Sequence, residues 1–176
     1  INNIAGLGTL FIKQSIVTKI AKWLYKFSQK KANKIFFQNQ DDFELFAKEE
    51  LVERDKCDIL PGSGVDINKF LPLEKKYDDG RFRFLLIGRM LRDKGVLEYI
   101  EAARIIKQRY SNVEFGLLGE IGVSNMTAIS HEEIKKWTDD GIVTYLGTSD
   151  DVGEEISKVD CIVLPSYREG TPRTLL

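Results

Sequence analysis

The sequence predicts an α/β protein, a Rossmann-like open parallel sheet preceded by part of another domain. Three observations carry this. Apolar strand-like runs alternate with helix-period segments from Arg81 onward. Those runs are mostly continuous rather than alternating, as in parallel strands covered on both faces. Pro61, Gly62, Ser63 and Gly64 interrupt the chain ahead of them, and two glycines and a proline in four residues stop any regular element.

The elements follow in order. A short apolar strand opens at Ile35, and after a polar break a helix starts at Asp41 or Asp42. "CDIL" supplies another strand-like stretch before the Pro/Gly break. "RFRFLLIG" reads as a strand ending at Gly88. "GVLEYIEAARIIKQRY" reads as a helix with Val96, Leu97, Ile100, Ala103, Ile105 and Ile106 as its apolar positions. "NVEFGLLGE" is a second strand and "HEEIKKWTDD" a charged helix with His131 as a polar helix-start residue. "GIVTYLG" is a third strand, "SDDVGEEISKVD" a helix capped by Ser149 or Asp150, and "CIVLPS" a fourth strand. Alternation at this spacing implies parallel strands joined by right-handed crossovers.

Composition narrows the function classes. A hydrophobic content of 43% and a charged content of 30% are those of a globular protein with a real core. Two cysteines give no disulfide framework, and a single histidine gives no His/Cys cluster of metal-ligand spacing. Cys161, inside "CIVLP", is read as a packing residue. No apolar run approaches the roughly 20 residues that a bilayer span needs. The chain opens on Ile1 and stops at Leu176 in the first turn of an expected helix, so it reads as a piece of a longer protein.

Charge is unevenly distributed. Residues 1–40 hold seven lysines and no acidic residue, whereas the remainder holds 19 basic against 27 acidic ones, so the net charge of −1 conceals a basic amino-terminal stretch. On a helical wheel Ile16, Ile20, Trp23, Leu24 and Phe27 share one face, with Lys19, Lys22, Lys26 and Lys30 on the adjoining one. Such a helix suits an anionic membrane surface; it equally suits a domain helix with its apolar stripe on the core and its lysines in water. The acidic remainder and the lack of a recognition motif argue against nucleic acid as a partner.

In open α/β sheets ligands gather beyond the carboxyl ends of the strands. There the sequence places Gly88, Arg89, Arg92, Lys94 and Gly95 after the first strand, Gly119 and Glu120 after the second, and Gly147 and Thr148 after the third. The fourth is followed by Ser166, Tyr167, Arg168, Glu169, Gly170 and Thr171. Glycines let a backbone approach a ligand, and cations beside them suit a diphosphate. The first loop is neither a GxGxxG fingerprint nor a Walker loop. With Thr171 as a cap and Pro172 in the first turn, the final helix would aim free N–H groups at an anion. Each residue also has a plain reading: Arg89 and Lys94 as solvated loop charges, and Glu169 paired with Arg168 or Arg173.

"GRMLRDKG", "LLGE", "VTYLG" and "LPSYREGTPRTLL", preceded by "ILPGSGVDINKF", resemble the retaining family 4 glycosyltransferases of the two-domain GT-B fold, clearly from Ile59 to Leu176 and more loosely before it. The resemblance implies an amino-terminal, acceptor-side domain ending at residue 58, a link over 59–70, and a truncated donor-binding domain over 71–176. It implies that Arg89 and Lys94 hold the diphosphate of a nucleotide-sugar donor and stabilise the departing nucleotide, and that Glu169 faces the donor sugar. Gly170 and Thr171 match the turn beside sugar and phosphate, and Tyr145, Leu146 and Gly147 the nucleobase segment. Gly88, Glu120 and Arg168 complete the implied donor-binding set. A second glutamate of the motif would fall one position past Leu176, so residues 1–176 alone are expected to be inactive.

No metal or other cofactor is expected, since the two cations take that role. "NNIAGLGTLF" resembles bacterial members that extend capsule or glycan repeats on a polyprenyl-diphosphate lipid, so the implied acceptor is a glycan or lipid-linked one and the implied location cytoplasmic, peripheral on the inner membrane face. The Lys-rich segment 13–34 is then where an anionic membrane would be met. The rival readings are a nucleotide-binding or regulatory module without chemistry, a membrane-surface interaction domain, and a phosphorylase of similar architecture.

Overall fold

The computed structural model describes residues 1–6, 11, 15–74 and 79–176. Lys13, part of the Lys-rich segment, and residues 7–10 of the "NNIAGLGTLF" stretch lie outside the described residues. The chain divides into two compact units. The first comprises Ile1–Val65 with Arg168–Thr174, and the second Asp66–Tyr167.

The first unit is a three-stranded parallel sheet in the order β1 (Asn2–Ile4), β2 (Ile35–Phe37), β3 (Cys57–Ile59). Two helices make the crossovers, α1 (Ile16–Gln29) and α2 (Gln40–Lys48). Ile35, Phe37 and Phe46 are fully buried, and Phe46 is ringed by Phe37, Tyr25 and Phe11 at centroid distances of 5.3, 5.1 and 5.6 Å. Helix α2 is capped by Asn39, whose side chain accepts from the Asp42 N–H at 2.7 Å, and not by Asp41 or Asp42. Asn39 has the extended conformation that a capping side chain needs, which frees Asp42 for the contact described below.

The second unit holds the strand and helix alternation. Strands β4 (Phe82–Ile87), β5 (Val113–Leu118), β6 (Thr144–Tyr145) and β7 (Cys161–Ile162) form an all-parallel sheet in the order β6-β5-β4-β7. Helix α3 (Val96–Arg109) joins β4 to β5, α4 (His131–Asp139) joins β5 to β6, and α5 (Val152–Ser157) joins β6 to β7. The chain therefore steps outward from β4 through β5 to β6, then returns to the other side of β4. That reversal makes the β4/β7 boundary the topological switch point, the place where such sheets hold ligands.

One sheet face is closed by a core of Leu86, Met90, Val96, Tyr99, Ile100, Phe115, Leu117, Ile134 and Trp137, in which Phe84 stacks on Phe115 at 4.7 Å. The other face is not fully covered by the described residues, contrary to the expectation from the continuous apolar runs. Leu85, Gly116, Leu146 and Val159 line a cavity of about 380 Å³ there, rimmed by Arg83, Glu114 and Lys158. Strand β6 spans two residues where seven read as strand, because its pairing with β5 is confined to Gly116↔Thr144 and Leu117↔Tyr145. Asp151, rather than Ser149 or Asp150, caps α5 by accepting from the Glu154 N–H at 2.9 Å.

Acidic groups of the second unit are tied down by specific donors. The Glu133 carboxylate accepts from the Ser130 N–H at 3.0 Å, closing a capping box on α4, and from Arg92 at 2.7 Å; both hold it below its ordinary value. Glu114 is lowered by Arg81 and then Arg83, and Asp79 is lowered to about 2, chiefly by hydrogen bonds from Arg83. A carboxylate depressed in the folded state adds stability that is complete above the unfolded value and lost as pH falls through the folded one. The melting temperature should thus decline below about pH 4. Glu133→Gln should flatten part of that decline in a melting series across pH, and an unchanged slope would remove Glu133 from the account.

Candidate functional site

The exit of β5 leaves no room for a side chain. Gly119, at the end of β5, has φ +143, and a Cβ there would fall 1.9 Å from the Gly88 carbonyl oxygen. Two strand exits thus touch main chain to main chain, with the Gly88 N–H donating to Leu118 O at 2.9 Å and the Gly119 N–H to Gly147 O at 2.7 Å. The Tyr145 hydroxyl donates to Gly119 O at 2.8 Å. Burial, then the Glu120 charge, pushes that phenol upward, so it remains a donor at neutral pH. Gly88, Gly119, Tyr145 and Gly147 are therefore one hydrogen-bonded layer across the carboxyl ends of β4, β5 and β6.

Arg89 and Lys94 rise from this layer on a single loop. Arg89 is exposed directly after Gly88, while Lys94 is half-buried and ends a 3-10 turn over Arg92–Lys94. Gly95 follows at φ +73, and a Cβ on it would lie 2.2 Å from Pro165 O, so only glycine lets the loop pass the chain leaving β7. The Tyr167 N–H donates to Asp93 O at 3.0 Å, and the Tyr167 hydroxyl bonds Glu98. Loops from the two strands flanking the switch point are in this way locked to each other. Ser166 Oγ, on the β7 loop, is a buried polar atom with no hydrogen-bond partner among the described residues; a polar ligand would relieve that cost. Glu120 and Leu146 are exposed at the neighbouring exits.

The remaining expected residues belong to the first unit. Arg168, Glu169, Gly170 and Thr171 lie against the carboxyl ends of β1, β2 and β3. Asn39 Nδ2 donates to Glu169 O at 3.1 Å and to Gly170 O at 3.2 Å. A Cβ on Gly170 would lie 2.5 Å from both Ala5 O and Gln38 Oε1, so this position too requires glycine. Arg168, expected among the donor contacts, places Nε on Asp42 Oδ1 at 2.9 Å. Arg168 therefore pairs with Asp42. Asp42 is 1% exposed, and its Oδ2 has no hydrogen-bond partner among the described residues.

Thr171 does not cap a helix. Its hydroxyl donates to Gln38 O at 3.3 Å, and Pro172 takes the N-cap position of a three-residue 3-10 turn, Arg173–Leu175, without a side-chain cap. Pro172, with ψ 105, stays extended. The expected anion-binding helix start is not formed by the described residues.

Asn39 is not singled out in the sequence, and Asp42 is named there only as a helix start. Their signal was the polar run "QNQDD" immediately after an apolar strand, at the strand end where function concentrates.

Comparison with known proteins agrees with this architecture. Residues 81–176 match the family described as "Glycosyl transferases group 1", and the chain belongs to that family. It is 31% identical over 188 residues to the N,N'-diacetylbacillosaminyl-diphospho-undecaprenol alpha-1,3-N-acetylgalactosaminyltransferase of Campylobacter jejuni, covering 98% of this chain and 48% of that protein. It is 26% identical over 190 residues to the UDP-Gal:alpha-D-GlcNAc-diphosphoundecaprenol alpha-1,3-galactosyltransferase of Escherichia coli, with 100% and 48% covered. The chain thus spans about half the length of these curated relatives.

Among solved structures, TarM of S. aureus superposes with a TM-score of 0.69 at 16% identity, covering 96% of this chain and 32% of that one. Anabaena HepE in complex with UDP gives 0.67 at 16%, covering 93% and 46%. The fold is that of the GT-B glycosyltransferases.

The Asp42–Arg168 pair generates a prediction. Arg168→Ala strands a buried carboxylate and should cost roughly 2 kcal/mol in urea unfolding. Arg168→Ala combined with Asp42→Asn should recover much of that loss, and additive losses would show that the pair carries no coupling.

Proposed function

We propose that the full-length protein is a retaining glycosyltransferase that moves a sugar from a nucleotide-diphosphate donor to a polyprenyl-diphosphate-linked or glycan acceptor, in the assembly of a capsule or related polysaccharide. The supporting observation is the β4 exit: Arg89 and Lys94 stand on a glycine-framed loop at the switch point of a parallel sheet. Glycines that let a ligand approach the backbone, with two cations beside them at that place, suit a diphosphate. Family membership supports sugar transfer, and the two curated relatives are named for alpha-1,3 transfer to diphospho-undecaprenol-linked substrates.

In the proposed step the bond from the anomeric carbon to the diphosphate oxygen breaks, and the acceptor hydroxyl oxygen bonds to the same face of that carbon. The acceptor proton passes to the departing diphosphate. Arg89 and Lys94 stabilise the negative charge that develops on this leaving group, an electrostatic contribution needing little reorganisation. Glu169 is assigned the sugar-facing role that the family resemblance gives it. No step requires a metal, because the two cations neutralise the leaving group. We place turnover in the full-length protein rather than in residues 1–176.

Lipid-linked acceptors sit in the membrane, so we also propose a cytoplasmic protein held peripherally on the inner face, with the Lys-rich segment 13–34 meeting anionic lipid. No helix among the described residues is long and apolar enough to cross a membrane, which leaves a surface contact as the mode available to them.

Arg89→Ala and Lys94→Ala in the full-length protein should each lower kcat by about 100-fold in a radiolabelled-sugar transfer assay. Glu169→Ala should abolish transfer while nucleoside diphosphate still binds. A wild-type protein that binds nucleotide and transfers nothing would favour the non-catalytic binding module.

A further inference from the structure

Helix α1 is turned with its apolar side outward. Ile16, Val17, Ile20, Trp23, Leu24 and Phe27 are between 52% and 78% exposed, whereas Thr18 and Gln29 are buried. Ala21, Lys22 and Tyr25 are half-buried on that inner side. At 3.6 residues per turn the six exposed side chains occupy an arc of roughly 120°. The inner side meets the unit through Tyr25, whose ring packs edge-on against Phe46 at 5.1 Å, and through Gln29, whose Oε1 accepts from Asn2 at 2.8 Å. The reading that put the apolar stripe on the core is therefore reversed by the structure.

A helix that anchors inward through Tyr25, Thr18 and Gln29 and shows Trp, Phe, Leu and Ile outward gains nothing from water on its outer face. A contiguous apolar patch of this kind marks an interaction surface. Trp23 and Phe27 stack at 6.0 Å and form a flat aromatic ridge along it. Charge identifies the occupant. Lys19, Lys26 and Lys30 are exposed along one margin of the arc, and residues 1–40 contain no acidic residue. Lys22 and Lys26 reach Glu49 and Glu50 at 2.9 and 3.8 Å, toward the rest of the unit. Lys19 and Lys30 form no ion pair among the described residues.

An apolar arc with a cationic margin fits a layer that is hydrocarbon at depth and anionic at its surface. Lysine stems can lie along the apolar surface while their ammonium groups reach lipid phosphates. With 14 residues and lysines along its length, the helix is suited to lie in the interface rather than to span it.

We propose that the outward face of α1 inserts into the headgroup–acyl boundary of an anionic membrane, with Trp23 and Phe27 as the deepest side chains and Lys19 and Lys30 on lipid phosphates. This rests on the lipid-linked acceptor reading and extends it: attachment is an apolar insertion by one helix, not only attraction of lysines to a charged surface.

The test is flotation of the full-length protein with vesicles of phosphatidylethanolamine containing roughly a quarter phosphatidylglycerol, set against pure phosphatidylcholine vesicles. Trp23→Glu/Phe27→Glu should lower partition to the anionic vesicles about tenfold or more, with an unchanged lipid-free melting temperature. Trp23→Phe should retain binding. Lys19→Gln/Lys30→Gln should weaken the preference for anionic over neutral vesicles. Partition that ignores the double glutamate variant would overturn the proposal. A lipid-free melting temperature that falls in that variant would overturn it too, because the face would then be covered by protein. Partition is read without any turnover, so a failure of the assigned activity leaves the lipid result decisive.

Discussion

Main-chain contact at the ends of β4 and β5 is the constraint on which the rest of the second unit depends. The Gly88 carbonyl oxygen occupies the place where any side chain at position 119 would begin, and Gly95 passes Pro165 with the same lack of room. These two contacts bring the loop carrying Arg89 and Lys94 to the sheet edge and tie it to the chain leaving β7. Without them the two cations would be ordinary loop charges. With them the cations come from a loop braced by backbone hydrogen bonds on both sides, which is how a site limits reorganisation when charge develops.

The first unit applies a related device to a different segment. Asn39 performs two tasks with one amide: its oxygen caps α2 and its nitrogen holds the Glu169 and Gly170 carbonyls. Asp42, one helical turn on, holds Arg168. Helix α2 is thus fastened at its start by the residue that also fixes the backbone around Glu169, so local helix stability and the conformation of that segment are coupled. The cost is a buried carboxylate with one unpaired oxygen, a polar burial of the kind retained where geometry matters more than stability.

Much of this was legible in the sequence, and the failures have physical causes. Continuous apolar runs and the period-3.6 pattern located β4, α3, β5 and α4 because each is long enough to show its signal. Strand β6 was overread because "GIVTYLG" has the composition of a strand, while ladder length is set by the partner's register. Helix caps slipped by one to three residues, as at Asn39 and Asp151, because several neighbouring side chains could cap and only backbone geometry chooses among them. Periodicity showed that α1 has an apolar face but not which way it points, since orientation depends on what the sheet offers. Arg89 and Lys94 were legible as a loop pattern. Asp42 was not, because its partner lies 126 residues away.

Amide hydrogen exchange of the full-length protein, with and without a saturating nucleoside diphosphate, tests the central claim most directly. The account predicts that the nucleotide slows exchange in the loop from Gly88 to Gly95 and in the chain leaving β7 toward Tyr167, with smaller effects at Gly119 and Gly147. Protection confined to other segments, or none despite saturation, would contradict it.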